Sequence, residues 1–106
     1  MAIDNRVTQL TGTQYPILQA PMGWIARSRL ASAVSEAGGM GIIETSSGEL
    51  DNIKREVEKM RQLTDKPFGM NVALSYVRGT NIIDFVVDQG IKFVTTSSGS
   101  PAVCTA

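Results

Sequence analysis

Apolar residues along this chain fall into two kinds of pattern. Four short runs are nearly continuous: residues 15–20 (YPILQA), 40–44 (MGIIE), 68–74 (FGMNVAL) and 91–96 (IKFVTT). Continuous apolarity, rather than alternation, is what a parallel strand covered on both faces requires. Between the runs, apolar residues recur every third or fourth position, which is helical spacing. Leu30, Ala33, Val34 and Ala37 share one face after Arg27-Ser28-Arg29, and Gly38-Gly39 follows where a left-handed C-cap is expected. Leu50, Ile53, Val57 and Met60 form the clearest stripe, with Lys54, Arg55, Glu58 and Lys59 mostly opposite; Ser46 and Glu49 before it have capping-box spacing. Asn81 is expected to cap a third helix, rich in Ile82, Ile83, Phe85, Val86 and Val87, that Gly90 stops. Pro101 stands where the first turn of a further helix begins.

The pattern reads β-α-β-α-β-α-β, with strands starting near residues 16, 40, 68 and 91. Repeats of roughly 25 residues are those of βα units, which build parallel sheets with right-handed crossovers. Two α/β architectures share this pattern, an open doubly wound sheet and part of a (β/α)8 barrel. A complete barrel takes about 250 residues, so 106 residues hold about four of its eight strands. No internal linker or low-complexity segment divides residues 1–106, and a single domain is expected.

Composition narrows the chemistry. Lys+Arg and Asp+Glu both number 10, and no basic stripe argues for nucleic acid or an anionic membrane as partner. There is no histidine, so the commonest general base and metal ligand is absent from these residues, and zinc sites and Ser-His or Cys-His nucleophile systems are not expected within them. The lone Cys104 forms no internal disulfide, has no basic neighbour in sequence to lower its pKa, and reads as a packing residue. Residues 1–16 lack the apolar core of a signal peptide, and no apolar run nears the roughly 20 residues that span a bilayer. A cytoplasmic protein is the expectation.

In either architecture, ligands bind at the loops following the carboxyl ends of the strands. Here these are residues 21–24 (PMGW), 44–48 (ETSSG), 74–80 and 97–101. Pro21 stops strand pairing and Gly23 permits close approach, so Pro21, Met22 and Gly23 form either a bare main-chain floor for a flat ligand or a simple turn. Asn71 interrupts an otherwise apolar strand; its amide offers a donor and an acceptor, either to a ligand edge or to a neighbouring loop carbonyl. Ala73 shares its face and leaves room. The cluster Thr95, Thr96, Ser97, Ser98, Gly99 and Ser100 can border a ring or phosphate or simply cap a helix, and neither GxxxxGK[ST] nor GxGxxG is present. Glu44 is the one carboxylate at a strand's carboxyl end, an acid-base candidate or a partner for a polar loop; Trp24 is a lid or core. Lys66 and Lys92 lie on the opposite side and read as solvated charges.

The runs YPILQAPMGW (15–24), LASAVSEAGGMG (30–41), LTDKPFGMNVAL (63–74) and IKFVTTSSGSP (91–101) together resemble the amino-terminal part of the nitronate monooxygenase family, formerly 2-nitropropane dioxygenases, whose superfamily includes the flavin-dependent enoyl-acyl-carrier-protein reductase II. The resemblance implies the first four strands of a TIM (β/α)8 barrel, a half-barrel as given, with FMN at the carboxyl ends of the strands. It places Pro21, Met22 and Gly23 against the isoalloxazine ring, Asn71 and Ala73 along its border, and Thr95, Thr96 and Ser97 closing that part of the site. It implies an oxidoreductase acting on a small-molecule substrate, oxidising alkyl nitronates with oxygen or reducing an enoyl thioester. The catalytic histidine, a lysine near the flavin and the glycine-rich phosphate loops of the family lie in later parts of its members. A truncated member is therefore expected, one in which tight FMN binding and turnover are not. The competing expectation is a non-catalytic half-barrel that self-associates or binds a complementary half, because edge strands and an apolar sheet face stay uncovered. A small flavodoxin-like module is disfavoured, since no phosphate loop follows the first strand.

Overall fold

The computed structural model describes the main chain over residues 3–46, 49–76 and 81–104, and the side chains of the same residues except Tyr76, Val103 and Cys104. Three parallel strands, β1 (Gly41–Ile43), β2 (Phe68–Ala73) and β3 (Val94–Ser97), lie in the order β1-β2-β3. The helices are α1 (Arg6–Thr11), α2 (Ser28–Glu36), α3 (Leu50–Leu63) and α4 (Asn81–Asp88), with 3-10 turns at Leu74–Tyr76 and Pro101–Cys104. The expected α/β class with parallel βα units is present.

The register pairs Gly41 with Phe68, Ile43 with Met70, Asn71 with Thr95 and Ala73 with Ser97. Paired residues of parallel strands point the same way, and successive residues alternate. Ile43 and Met70 thus turn to the helices, where they join Ala31, Ile53, Val57, Met60, Phe85 and Val86 in the core. Ile42, Gly69, Asn71, Ala73, Thr95 and Ser97 share the other face. The stripe Ile53, Val57, Met60 of α3 is buried as its spacing predicts. Met60 is fully buried, so Met60→Ala is expected to cost about 3 kcal/mol of unfolding free energy. Urea denaturation checks this through a lowered midpoint at unchanged slope.

The first expected strand is shorter than its apolar run suggests. Residues 15–20 make a single parallel bridge, Leu18 with Met40, held by Met40 N donating to Ile17 O (2.8 Å) and Gln19 N donating to Met40 O (3.0 Å). Tyr15 N donates to Gly38 O (2.9 Å), but Pro21, the next residue after Gln19 that would donate, has no N–H, so the ladder stops there. The segment runs alongside β1 without becoming a fourth strand.

The buried face of α2 also differs from the expectation. Ser28, Ala31, Ser32 and Ser35 are buried, while Ala33 and Ala37 are exposed and Leu30 and Val34 half-buried. The cause is close packing on β1. A Cβ at Gly41 would lie 2.0 Å from Ala31 O, so only small side chains fit between these elements. Each hydroxyl has a partner that offsets its burial: Ser35 Oγ accepts from Gly41 N (3.1 Å) and donates to Pro67 O (2.8 Å), and Ser28 Oγ donates to Glu56 Oε2 (3.0 Å).

Three end signals resolve differently from the sequence reading. The Ser46–Glu49 capping box does not form. Glu49 is the N-cap of α3 with no side-chain bond, and Ser46 Oγ donates to Glu44 Oε2 (3.1 Å), because the buried carboxylate is the stronger acceptor. Asn81 is the first residue of α4 rather than its cap, and Thr80 lies outside the described residues. Helix α1, which no apolar stripe announces, is held by an Asn5–Thr8 capping box.

Candidate functional site

The carboxyl ends of the strands are tied into one polar row. Asn71 is 4% exposed on β2. Its Oδ1 accepts from Thr95 Oγ1 (2.8 Å) and its Nδ2 donates to Ser97 Oγ (3.2 Å), both on β3. The Asn71 carbonyl accepts from Thr45 Oγ1 (2.7 Å) just after β1. One amide N–H and one lone pair of Asn71 remain beyond these bonds, an adjacent donor and acceptor. Ala73 is buried beside Ser97 on the same face and adds no bulk.

Pro21, Met22 and Gly23 are all exposed. Met22 O closes the turn, accepting from Ile25 N (3.1 Å) and Ala26 N (2.8 Å). A Cβ on Gly23 would meet Ser46 Oγ at 3.5 Å, which puts this loop next to the β1 end. Trp24 has φ 67°, a left-handed conformation that costs a bulky residue on the order of 1–3 kcal/mol. Ser98, on the loop after β3, has φ 60°. Both non-glycine residues of positive φ, among those described, lie on the ligand-side loops.

The structure therefore joins Asn71, Thr95 and Ser97 directly, with Ala73 beside them. It sets Thr96 apart: the register places it opposite Val72, on the helix-side face, where it is exposed. Glu44 is 4% exposed and is paired with Arg27 (Nε to Oε1, 3.3 Å). Lys66 and Lys92 are exposed at the far end of the strands, beside a cleft that Arg61 also lines. Parts of the loops at 44–48 and 74–80 fall on residues 47–48 and 77–80, outside the described residues, as does the side chain of Cys104.

Two residues the sequence reading passed over hold this end together. Gln19 Nε2 donates to Ile42 O (2.9 Å) and Ala20 O (2.8 Å), and Ile42 N donates to Gln19 Oε1 (3.2 Å). Its side-chain amide thus supplies the sheet bonds that the backbone, stopped by Pro21, does not. The signal was an amide directly before Ala-Pro at a strand end. Arg27 stands 4.8 Å from the Trp24 ring centroid as well as pairing with Glu44. Its role was hidden because Glu44 is 17 residues away in sequence.

A family model described as nitronate monooxygenase matches residues 4–99. The chain belongs to the nitronate monooxygenase family. It is 33% identical over 92 residues to the (3aS,4S,5R,7aS)-5-hydroxy-7a-methyl-1-oxo-octahydro-1H-indene-4-carboxyl-CoA dehydrogenase of Mycobacterium tuberculosis, a match covering 87% of this chain and 26% of that protein. It is 43% identical over 70 residues to the nitronate monooxygenase of Pseudomonas aeruginosa, covering 66% of this chain and 20% of the other. FabK from Thermotoga maritima superposes with a TM-score of 0.90 at 35% identity, over 98% of this chain and 33% of FabK. The chain spans between a fifth and a third of the length of these relatives.

Proposed function

We propose that these residues form the ring-facing part of an FMN site in a (β/α)8-barrel oxidoreductase that oxidises alkyl nitronates with oxygen. The observation that carries this reading is the polar row Asn71–Thr95–Ser97 at the strand ends, with the exposed loop Pro21, Met22 and Gly23 at the same end of the sheet. The donor and acceptor left on Asn71 match the alternating donors and acceptors along a flavin edge, and Ala73 and Gly23 leave space for a flat ring. Thr96 belongs to this proposal only through its backbone, since its side chain faces away. FMN supplies reversible acceptance of electrons from the substrate and their delivery to oxygen; the protein binds the ring and sets its polarity. The phosphate anchor and the catalytic base would come from residues beyond these 106, for which the longer relatives have room.

Reduction or dehydrogenation of a thioester is the second reading. It is favoured by the match to a CoA-thioester dehydrogenase, which covers 87% of this chain. Association of these residues with a second copy or with a complementary barrel half is compatible with either chemistry. Leu10 (77%), Ile17 (61%) and Val87 (70%) are exposed apolar side chains available to such an association. A cytoplasmic setting is part of the proposal; among the described residues no helix is long and apolar enough to cross a membrane.

Titration of the purified chain into FMN and into riboflavin tests the site. Saturable quenching of flavin fluorescence is expected, with comparable affinity for the two ligands because the ring is what these residues hold. No oxygen consumption with an alkyl nitronate is expected from the chain alone. Absence of saturable quenching with either flavin would overturn the reading.

A further inference from the structure

We propose that Glu44 is a positioning residue for the loop at residues 21–24, acting through Arg27 on Trp24. The inference rests on reading that loop as part of the flavin site. Glu44 is 4% exposed at the end of β1, and both of its carboxylate oxygens are engaged. Oε1 accepts from Arg27 Nε (3.3 Å) and Oε2 from Ser46 Oγ (3.1 Å). A carboxylate held this way is poorly placed to shuttle protons and well placed to orient a guanidinium.

The guanidinium it orients is planar, so fixing the Nε–H direction fixes the face presented to a neighbouring ring. That neighbour is Trp24, 4.8 Å from Arg27 Cζ to ring centroid. The same segment is tied to β1 by Glu44 N donating to Ala26 O (2.8 Å), and the turn is closed by Met22 O. Residue 44 thus grips the loop twice, by its backbone at Ala26 and by its side chain through Arg27. Just ahead of both anchor points in the chain lies Trp24, in a left-handed conformation that is costly for a bulky residue. Neutralising Glu44 keeps the backbone grip and loosens the other, so the indole gains motion while the strand stays in place.

The chain has one tryptophan, so its fluorescence reports residue 24 alone. Time-resolved anisotropy is measured for the wild type, Glu44→Gln, Arg27→Gln and Arg27→Lys, with far-UV circular dichroism to compare their folds. The expected result is a larger amplitude of sub-nanosecond indole rotation in Glu44→Gln and Arg27→Gln, with unchanged circular dichroism. Riboflavin affinity is expected to fall about threefold, the scale of a cation–π contact at an exposed site. Arg27→Lys retains the charge but not the plane and is expected to fall between. Unchanged indole rotation in the two Arg27 variants overturns the proposal even if Glu44→Gln fails to fold. A wild-type indole already as free as in a short peptide overturns it too. If the rotation responds as expected but the wild type binds no flavin, the Glu44 clamp stands and the flavin reading fails.

Discussion

Gly41→Val is expected to yield no folded protein. A Cβ at this position would lie 2.0 Å from Ala31 O, 2.7 Å from Ala31 C and 2.7 Å from Ser35 Oγ. Two of those atoms are backbone, so no rotamer change relieves the contact. Helix α2 cannot back away freely, because Ser35 bonds both Gly41 N and Pro67 O, and Ser28 bonds Glu56 on α3. Overpacking costs about 1–3 kcal/mol where side chains give way, and here the main chain itself must move. Domain stabilities are about 5–15 kcal/mol, with small domains at the low end. Soluble yield and far-UV circular dichroism check the outcome. A folded Gly41→Val protein would mean that α2 does not sit this close to β1. Gly23→Ala is the informative contrast, because among the described residues its Cβ meets Ser46 Oγ alone, at 3.5 Å, an ordinary contact. It should fold normally and lose flavin affinity by crowding the open loop.

Asn71→Leu carries the second large effect, on binding and on folding together. The substitution removes the acceptor for Thr95 Oγ1 and the donor to Ser97 Oγ, leaving two half-buried hydroxyls without that partner. A lost partner of this kind costs about 1–3 kcal/mol. The strand itself should survive, since Met70 and Val72 keep their packing and the Asn71 carbonyl still accepts from Thr45. Riboflavin affinity is expected to drop at least about tenfold, equivalent to about 1.4 kcal/mol. Loss of the free donor and acceptor and the spreading of Thr95 and Ser97 act in the same direction. Fluorescence titration beside a urea melt separates the two effects. Undiminished affinity in a folded variant would remove Asn71 from the site.

The parallel βα order was readable because β1 and β2 are apolar runs and the stripe Leu50, Ile53, Val57, Met60 of α3 recurs over three turns; β3 is less legible, since it starts at Val94 rather than Ile91 and holds Thr95, Thr96 and Ser97. Pattern failed where packing distance, not hydrophobicity, decided burial. The serines of α2 look solvent-facing by type, yet the closeness of α2 to β1 selects small side chains and gives their hydroxyls partners. The run YPILQA looks like a strand by composition, but it makes one bridge: Tyr15 N donates to Gly38 O at one end, and at the other Pro21 has no N–H to give, so Gln19's side chain extends the pairing. At the candidate site, the types and strand positions of Asn71, Thr95 and Ser97 were visible. Their mutual bonds depend on a register that periodicity does not supply. Strand alternation turns Thr96, between Thr95 and Ser97, to the other face. Glu44 stood out as a carboxylate at a strand end, while its pairing with Arg27 needed the fold.

The central claim, that the loop at residues 21–24 and the Asn71–Thr95–Ser97 row bind a flavin ring, is tested most directly by nuclear magnetic resonance of the isotope-labelled chain titrated with riboflavin. The account predicts saturable amide shifts at Met22, Gly23, Asn71, Ala73, Thr95 and Ser97. Shifts confined to the cleft lined by Arg61, Lys66 and Lys92 at the opposite end of the strands, or none at the highest soluble riboflavin concentration, would contradict it.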